Sequence, residues 1–176
     1  MICGIGAGGD IDSTSLGGPA LTPRERFERL SEFTGLLGRL LTQDHVSHNG
    51  AYFSAVDART LPGPVQLPRI PFVMAANGPR SMRLAVEDGS GWVTTGPKVE
   101  TRGQWWTAIA QLSGRLDEVL AAAGRDSATL ERHVNLDSSP PFALSSVGAF
   151  EEMVGRAAEL ASPDLVTHWP RPEGPY

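Results

Sequence analysis

Residues 70–75, Ile-Pro-Phe-Val-Met-Ala, form a short apolar run bracketed by prolines. Continuous rather than alternating hydrophobicity predicts a strand buried on both faces, as in a parallel sheet. The run breaks at residues 76–79, Ala-Asn-Gly-Pro, and helix formers follow, predicting a helix over 79–87. Upstream, Phe27, Leu30, Phe33, Leu37, Leu40 and Leu41 recur at helical spacing over 23–42. Thr22 and Glu25 form a capping box around Pro23 at the first helical position. Arg24, Glu28, Arg29 and Glu32 are then expected on the solvated outer face. Residues 46–56 predict a hairpin turning at Asn49-Gly50. Further strands are predicted over 91–95, 130–137 and 164–169. A helix over 101–123 buries Trp105, Ile109, Leu112, Leu116, Val119 and Leu120, with Gly124 past its end. A helix over 147–160 buries Phe150, Val154, Ala157 and Ala158. The chain begins inside a strand, and residues 12–23 are expected as loop.

Strand, helix, hairpin, then three strand–helix units and a closing strand is the order of an α/β protein. It predicts about five parallel strands with outer helices. With 176 residues, 40% hydrophobic and 20% charged, the chain is expected to be one domain over 1–176. The net charge of −5, with no Lys/Arg cluster to contradict it, argues against nucleic-acid binding. Cys3 is the only cysteine, so neither a disulfide framework nor a thiolate metal cluster is expected. No export signal or 18-residue apolar stretch is visible, so the expectation is a cytoplasmic protein without membrane contact.

The candidate chemistry sits at the turn of residues 76–79. Asn77 or Gly78 can cap the helix, Pro79 fits its first turn, and free N–H groups there favour a phosphate or carboxylate, with Arg80 or Arg83 adding charge. An ordinary strand-to-helix turn needs the same Gly and Pro for geometry alone. A second glycine-rich turn, Gly6-Ala7-Gly8-Gly9, permits close backbone approach to a ligand. No helix is expected directly after it, which counts against an open doubly wound nucleotide-binding domain. His45, His48, His133 and His168 show no ligand spacing, so no metal is expected. His48 is expected to be exposed. His168 stands near the end of the last strand, where core packing competes with a role in a site. Trp105-Trp106 is read as helix packing, and Ser138-Ser139 lacks the context of a hydrolase nucleophile. No catalytic acid–base pair is identified.

Four segments in order, GIGAGGD, ERFERLSEFTGLLGRLL, VSHNGAYFS and PFVMAANGPRSMRLAVEDGSGWVTTG, resemble the luciferase-like flavin and deazaflavin monooxygenase/oxidoreductase superfamily. The resemblance implies a (β/α)8 barrel using coenzyme F420 or FMN to carry a hydride for a small-molecule substrate. It implies that Gly6, Ala7, Gly8 and Asp10 flank the cofactor. Ala75, Ala76, Asn77, Gly78 and Pro79 would hold its phosphate or tail, and Thr94, Thr95 and His168 would face the substrate pocket. The family's first three strands have no counterpart here, so the expected architecture is a partial TIM barrel of about five parallel strands. Five strands cannot close. The expectation is therefore a fragment, a homodimer, or a chain completed by another chain. The alternative is a truncated, non-catalytic member that binds a phosphorylated cofactor or a partner.

Overall fold

A computed structural model describes residues 1–169, without the side chains of Asp10 and Asp12. The chain divides into two compact units, Met1–Ala75 and Ala76–Tyr176.

In the first unit β1 (Cys3–Ile5) is followed by α1 (Asp10–Ser15), α2 (Pro23–Thr42), β2 (Val46–Asn49), β3 (Ser54–Ala58) and β4 (Phe72–Ala75). β1 and β4 pair in parallel, Gly4 opposite Val73, and Phe72, Val73 and Met74 are buried, as the unbroken apolar run predicts. The guanidinium of Arg69 lies 3.5 Å from the centre of the Phe72 ring. α2 has the predicted bounds and capping box: Glu25 N–H donates to Thr22 Oγ1, and Thr22 N–H to Glu25 Oε2.

Four expectations fail in this unit. A helix, α1, stands where a loop was expected. Its C-terminus is a Schellman closure: Gly17 has φ +69°, Gly17 N–H donates to Thr14 O, and Gly18 N–H donates to Ser13 O. The hairpin exists, but its turn is the four residues 50–53, closed by Gly50 N–H donating to Phe53 O, rather than a two-residue Asn49-Gly50 turn. Glu32 does not face solvent. Its carboxylate accepts from the N–H groups of Ala51, Tyr52 and Phe53 and pairs with His48 Nε2 at 3.2 Å. His48, expected exposed, is therefore half-buried against α2.

In the second unit the order is α3 (Pro79–Asp88), β5 (Gly91–Thr94), α4 (Arg102–Ala122), β6 (Glu131–Asn135), α5 (Val147–Glu159) and β7 (Asp164–Val166). β5, β6 and β7 pair in parallel in that order, with Thr94 opposite Val134 and Asn135 opposite Val166. Two parallel strands in the first unit and three in the second give the predicted five, with α3, α4 and α5 covering apolar faces. Trp105, Ile109, Val134, Leu136 and Met153 are fully buried in one cluster, each contributing about 1.5–3 kcal/mol by area. Trp105 and Trp106 meet edge-on, ring centres 4.8 Å apart, so this pair is packing as expected.

The differences here are at element ends. β6 stops at Asn135 because Asn135 Oδ1 accepts Asp137 N–H and starts a 3₁₀ turn, Leu136–Ser138. β7 stops at Val166, and two residues on His168 N–H donates to Asp137 Oδ1. α5 turns Met153 and Ala157 inward and leaves Val154 and Ala158 exposed.

Desolvation pushes the Glu32 carboxyl upward, but the Phe53 N–H, His48 and the Tyr52 and Ala51 N–H groups outweigh it and hold the group below its ordinary 4.5. A depressed folded value means that this anchorage is complete above the ordinary glutamate range and is lost as pH falls through the depressed value. The amide shifts of Ala51, Tyr52 and Phe53 should titrate together with a midpoint below 4.5. Glu32→Gln should abolish that titration and speed their hydrogen exchange about tenfold or more. Unchanged exchange in the variant would show that the carboxylate does not hold the turn.

Candidate functional site

In the first unit, the end of β1 runs through Gly6, Ala7 and Gly8 into α1. A Cβ on Gly6 would stand 3.2 Å from the Ala75 Cβ, so the ends of β1 and β4 approach more closely than a larger residue at 6 would comfortably allow. Gly8 has φ +71°, which favours glycine. The Asp10 side chain lies outside the described structure. Beside this turn is a cavity of about 410 Å³, lined by Gly6, Ala7 and Gly8 with Arg26, Arg29 and Phe53 among its other walls. Arg29 was expected only as outer surface; it sits 5.7 Å over the Phe53 ring at the cavity rim. Spacing of three on α2, on the side of the glycine turn, is the signal that would have paired Arg26 with Arg29.

In the second unit the turn of residues 76–79 is held by hydrogen bonds from β5. Ala76 N–H donates to Val93 O at 3.1 Å, and the buried Trp92 Nε1–H donates to Ala76 O at 2.6 Å. Gly96 N–H donates to Thr94 Oγ1 at 3.0 Å, and Thr94 Oγ1 donates to Asn77 Oδ1 at 2.6 Å. With its oxygen thus engaged, the exposed Asn77 carboxamide presents its NH₂ group away from Thr94. Thr94 is buried and acts on Asn77 rather than on open space. Thr95 is exposed, its carbonyl accepting from Trp105 Nε1 at 3.0 Å.

Gly78, not Asn77, is the N-cap of α3, with φ −99°. Its N–H donates to Ser81 Oγ at 3.3 Å, so the first helical turn rather than Gly78 offers donors without an intrahelical acceptor. A Cβ at Gly78 would meet Ser81 Oγ at 3.8 Å and nothing nearer, so a side chain there is not strained. The glycine under constraint is Gly96: φ is +64°, and a Cβ would lie 2.7 Å from Trp105 Nε1.

Beyond β6 and β7 the structure joins two residues 31 positions apart. Asp137 Oδ1 accepts from His168 N–H at 2.9 Å and from Thr167 Oγ1 at 3.4 Å, while Oδ2 takes His168 Nδ1. The Asp137 side chain is 7% exposed and the His168 side chain 48%. Register places the ends of β5, β6 and β7 at one edge, so Thr94, Asp137 and His168 follow neighbouring strand ends. A larger cavity of about 690 Å³, lined in part by Ser113, Asp117, Arg132 and Asp164, lies toward the opposite strand ends. In barrels that end serves stability rather than chemistry, so size alone does not make it the site. Among the described residues no cluster of three or more His, Cys, Asp or Glu is arranged for a metal, and no helix is long and apolar enough to cross a membrane.

The luciferase-like monooxygenase family model matches residues 1–139. An F420-dependent glucose-6-phosphate dehydrogenase of Kineococcus radiotolerans is 30% identical over 146 residues, covering 82% of this chain and 42% of that protein. The protein of that name from Intrasporangium calvum is 32% identical, covering 84% and 44%. An F420-dependent hydroxymycolic acid dehydrogenase of Mycobacterium tuberculosis is 29% identical, covering 91% and 39%. The chain thus spans less than half the length of these relatives. A solved F420-dependent secondary alcohol dehydrogenase, in complex with an F420-acetone adduct, matches with TM-score 0.72 and 13% identity, over 93% of this chain and 62% of that one. The monooxygenase RslO1 from Streptomyces bottropensis matches at TM-score 0.59 and 18% identity, over 92% and 52%. These likenesses agree with an α/β fold of the partial-barrel class.

Thr94→Val removes the hydroxyl at nearly constant volume and strands both Asn77 Oδ1 and the Gly96 N–H. It should lower stability by about 1–3 kcal/mol, with Thr94→Ser milder because it keeps the relay. Urea denaturation of the three proteins decides this. Equal midpoints for Thr94→Val and the parent would remove the hydroxyl from its place in the turn.

Proposed function

This chain belongs to the luciferase-like monooxygenase family, and we propose that it acts there as an oxidoreductase using F420, with FMN the alternative cofactor. The observation that carries the reading is the similarity to F420-dependent dehydrogenases across more than four-fifths of the chain. The residues fit an anionic cofactor. The start of α3 directs N–H groups and a partial positive charge outward, and the Asn77 NH₂ is turned away from its Thr94 partner.

We assign Ala76, Asn77, Gly78 and Pro79 to the phosphate, with Arg80 and Ser81 supplying main-chain donors. Gly6, Ala7, Gly8, Asp10 and Ala75 are the further residues we assign to cofactor binding. Thr95 and His168 lie toward the substrate, with Thr94 acting through Asn77. When bound, the deazaflavin or flavin ring supplies the hydride chemistry, and the protein binds and orients it.

A second reading is a non-catalytic member of the family that binds a phosphorylated cofactor or a partner chain.

Fluorescence titration of the full chain with F420 and with FMN tests the assignment. Saturable binding of F420 is expected. Asn77→Asp, which sets a carboxylate against the phosphate, should weaken it about tenfold or more. Arg83→Ala, altering an exposed charge one turn along, should change it less than about twofold. A folded chain that binds neither cofactor, or an Asn77→Asp variant that binds as tightly as the parent, overturns the proposal.

A further inference from the structure

We propose that the cavity beside the turn of residues 6–8 is an organic-acid site, in which the Arg29 guanidinium anchors a carboxylate carried on an apolar body. This goes beyond the oxidoreductase reading above, which names no charged side chain here.

The carboxylates on the first half of α2 all have partners other than Arg29. Glu25 Oε2 accepts from Thr22 N–H and from Thr22 Oγ1, both at 2.7 Å. Glu28 takes Arg24 Nε with one oxygen and the Tyr52 hydroxyl with the other. Glu32 is engaged by the hairpin turn and by His48. Glu25 and Glu32 stand one turn to either side of Arg29, the spacing at which helical ion pairs form, yet both turn elsewhere. Arg26, one turn back, already donates to Leu21 O at 2.9 Å. Among the described residues Arg29 is thus left without a carboxylate, its guanidinium 5.7 Å over the Phe53 ring.

An arginine stacked on a ring keeps the edge of its planar fork open, and that fork matches a carboxylate through two parallel hydrogen bonds. The stacking is itself anchored, because the Phe53 and Phe33 rings meet with centres 5.7 Å apart and 54° between planes. Around the cation the walls are apolar, supplied by Leu16, Leu30, Phe33 and Phe53. Leu16 is 87% exposed and Phe33 37%, so this apolar surface is open to water rather than packed. The floor is the glycine turn, where Gly6 and Gly8 have no side chain to block the approach of a ligand to the backbone. The volume of about 410 Å³ falls within the roughly 300–1,000 Å³ of small-molecule pockets.

One cation amid apolar walls selects for two features together. A carboxylate without an apolar body gains only an ion pair at an exposed site, where such pairs contribute little. An uncharged apolar molecule leaves the guanidinium without a partner. A medium-chain acid uses both, covering Leu30 and Phe33 with its chain while its carboxylate meets Arg29. Two sources can present that chemistry: a free organic acid, or an acidic group carried by a cofactor bound at the turn of residues 6–8.

Octanoate and 1-octanol, matched in chain and differing in charge, are the probes on the ¹⁵N-labelled full chain. Octanoate should bind saturably, shifting Arg29 Nε–H and the amides of residues 6–8, and about tenfold or more tightly than 1-octanol. Arg29→Gln, its fold checked by circular dichroism, should lose about tenfold in octanoate affinity and hold 1-octanol within about twofold. A folded Arg29→Gln variant that binds octanoate as the parent does overturns the proposal. So do equal affinities of the parent for the two probes, or no saturable octanoate binding. Saturating F420 then tells the sources apart: displacement of octanoate assigns the acid to the cofactor, and simultaneous binding assigns it to a separate ligand. A chain that binds octanoate but not F420 defeats the functional reading and leaves this site standing.

Discussion

The indole of Trp105 is where the core of the second unit and its candidate site become one problem. The ring is fully buried with Ile109, Val134 and Leu136, and its one polar atom still needs an acceptor in that apolar setting. It finds Thr95 O. To bring that carbonyl over the ring the chain must turn at once, and Gly96 does so at φ +64°, in a space that a Cβ would overfill. The turn aims Gly96 N–H at the Thr94 hydroxyl, the hydroxyl then points its own proton at Asn77, and the Asn77 amide is left with its NH₂ outward. Packing thus sets the direction of a polar group four residues' contacts away. An apolar substitution at Trp105 would be felt as a cavity in the core and as a loosened carboxamide at the start of α3.

The first unit relies on a carboxylate in a comparable way. Glu32 sits on α2 and collects the N–H groups of three consecutive turn residues, which would otherwise lie against the helix without acceptors. Gly50 is small because the carboxylate is there: a Cβ would fall 2.0 Å from Glu32 Oε1. The hairpin is therefore tied to the helix by charge-assisted hydrogen bonds as well as by the Phe33–Phe53 ring contact.

Much of this was legible in the sequence because it is local. The bounds of α2 follow from Thr22, Pro23 and Glu25, all within one turn, and β4 follows from an apolar run that alternation could not explain. The strand–helix order gave the fold class, and four segments in sequence gave the family. What escaped was non-local or depended on glycine conformation. Gly17 and Gly18 read as loop because their composition is loop-like, yet they close a short helix. Glu32 read as surface because helical periodicity places it there, and only the hairpin's return, about twenty residues later, covers it. Asp137 and His168 are joined by strand register, which no spacing of 31 residues announces. Asn77 was recognised as a member of the turn, but its orientation is set by Thr94, on the next strand.

The central claim is that a phosphorylated deazaflavin is held at the start of α3 beneath the Thr94–Asn77 relay. Amide mapping of the uniformly ¹⁵N-labelled full chain during titration with F420 tests it most directly. The account predicts saturable shifts centred on residues 76–81 and 94–96. Shifts confined to the cavity at the N-terminal ends of β6 and β7 would contradict it.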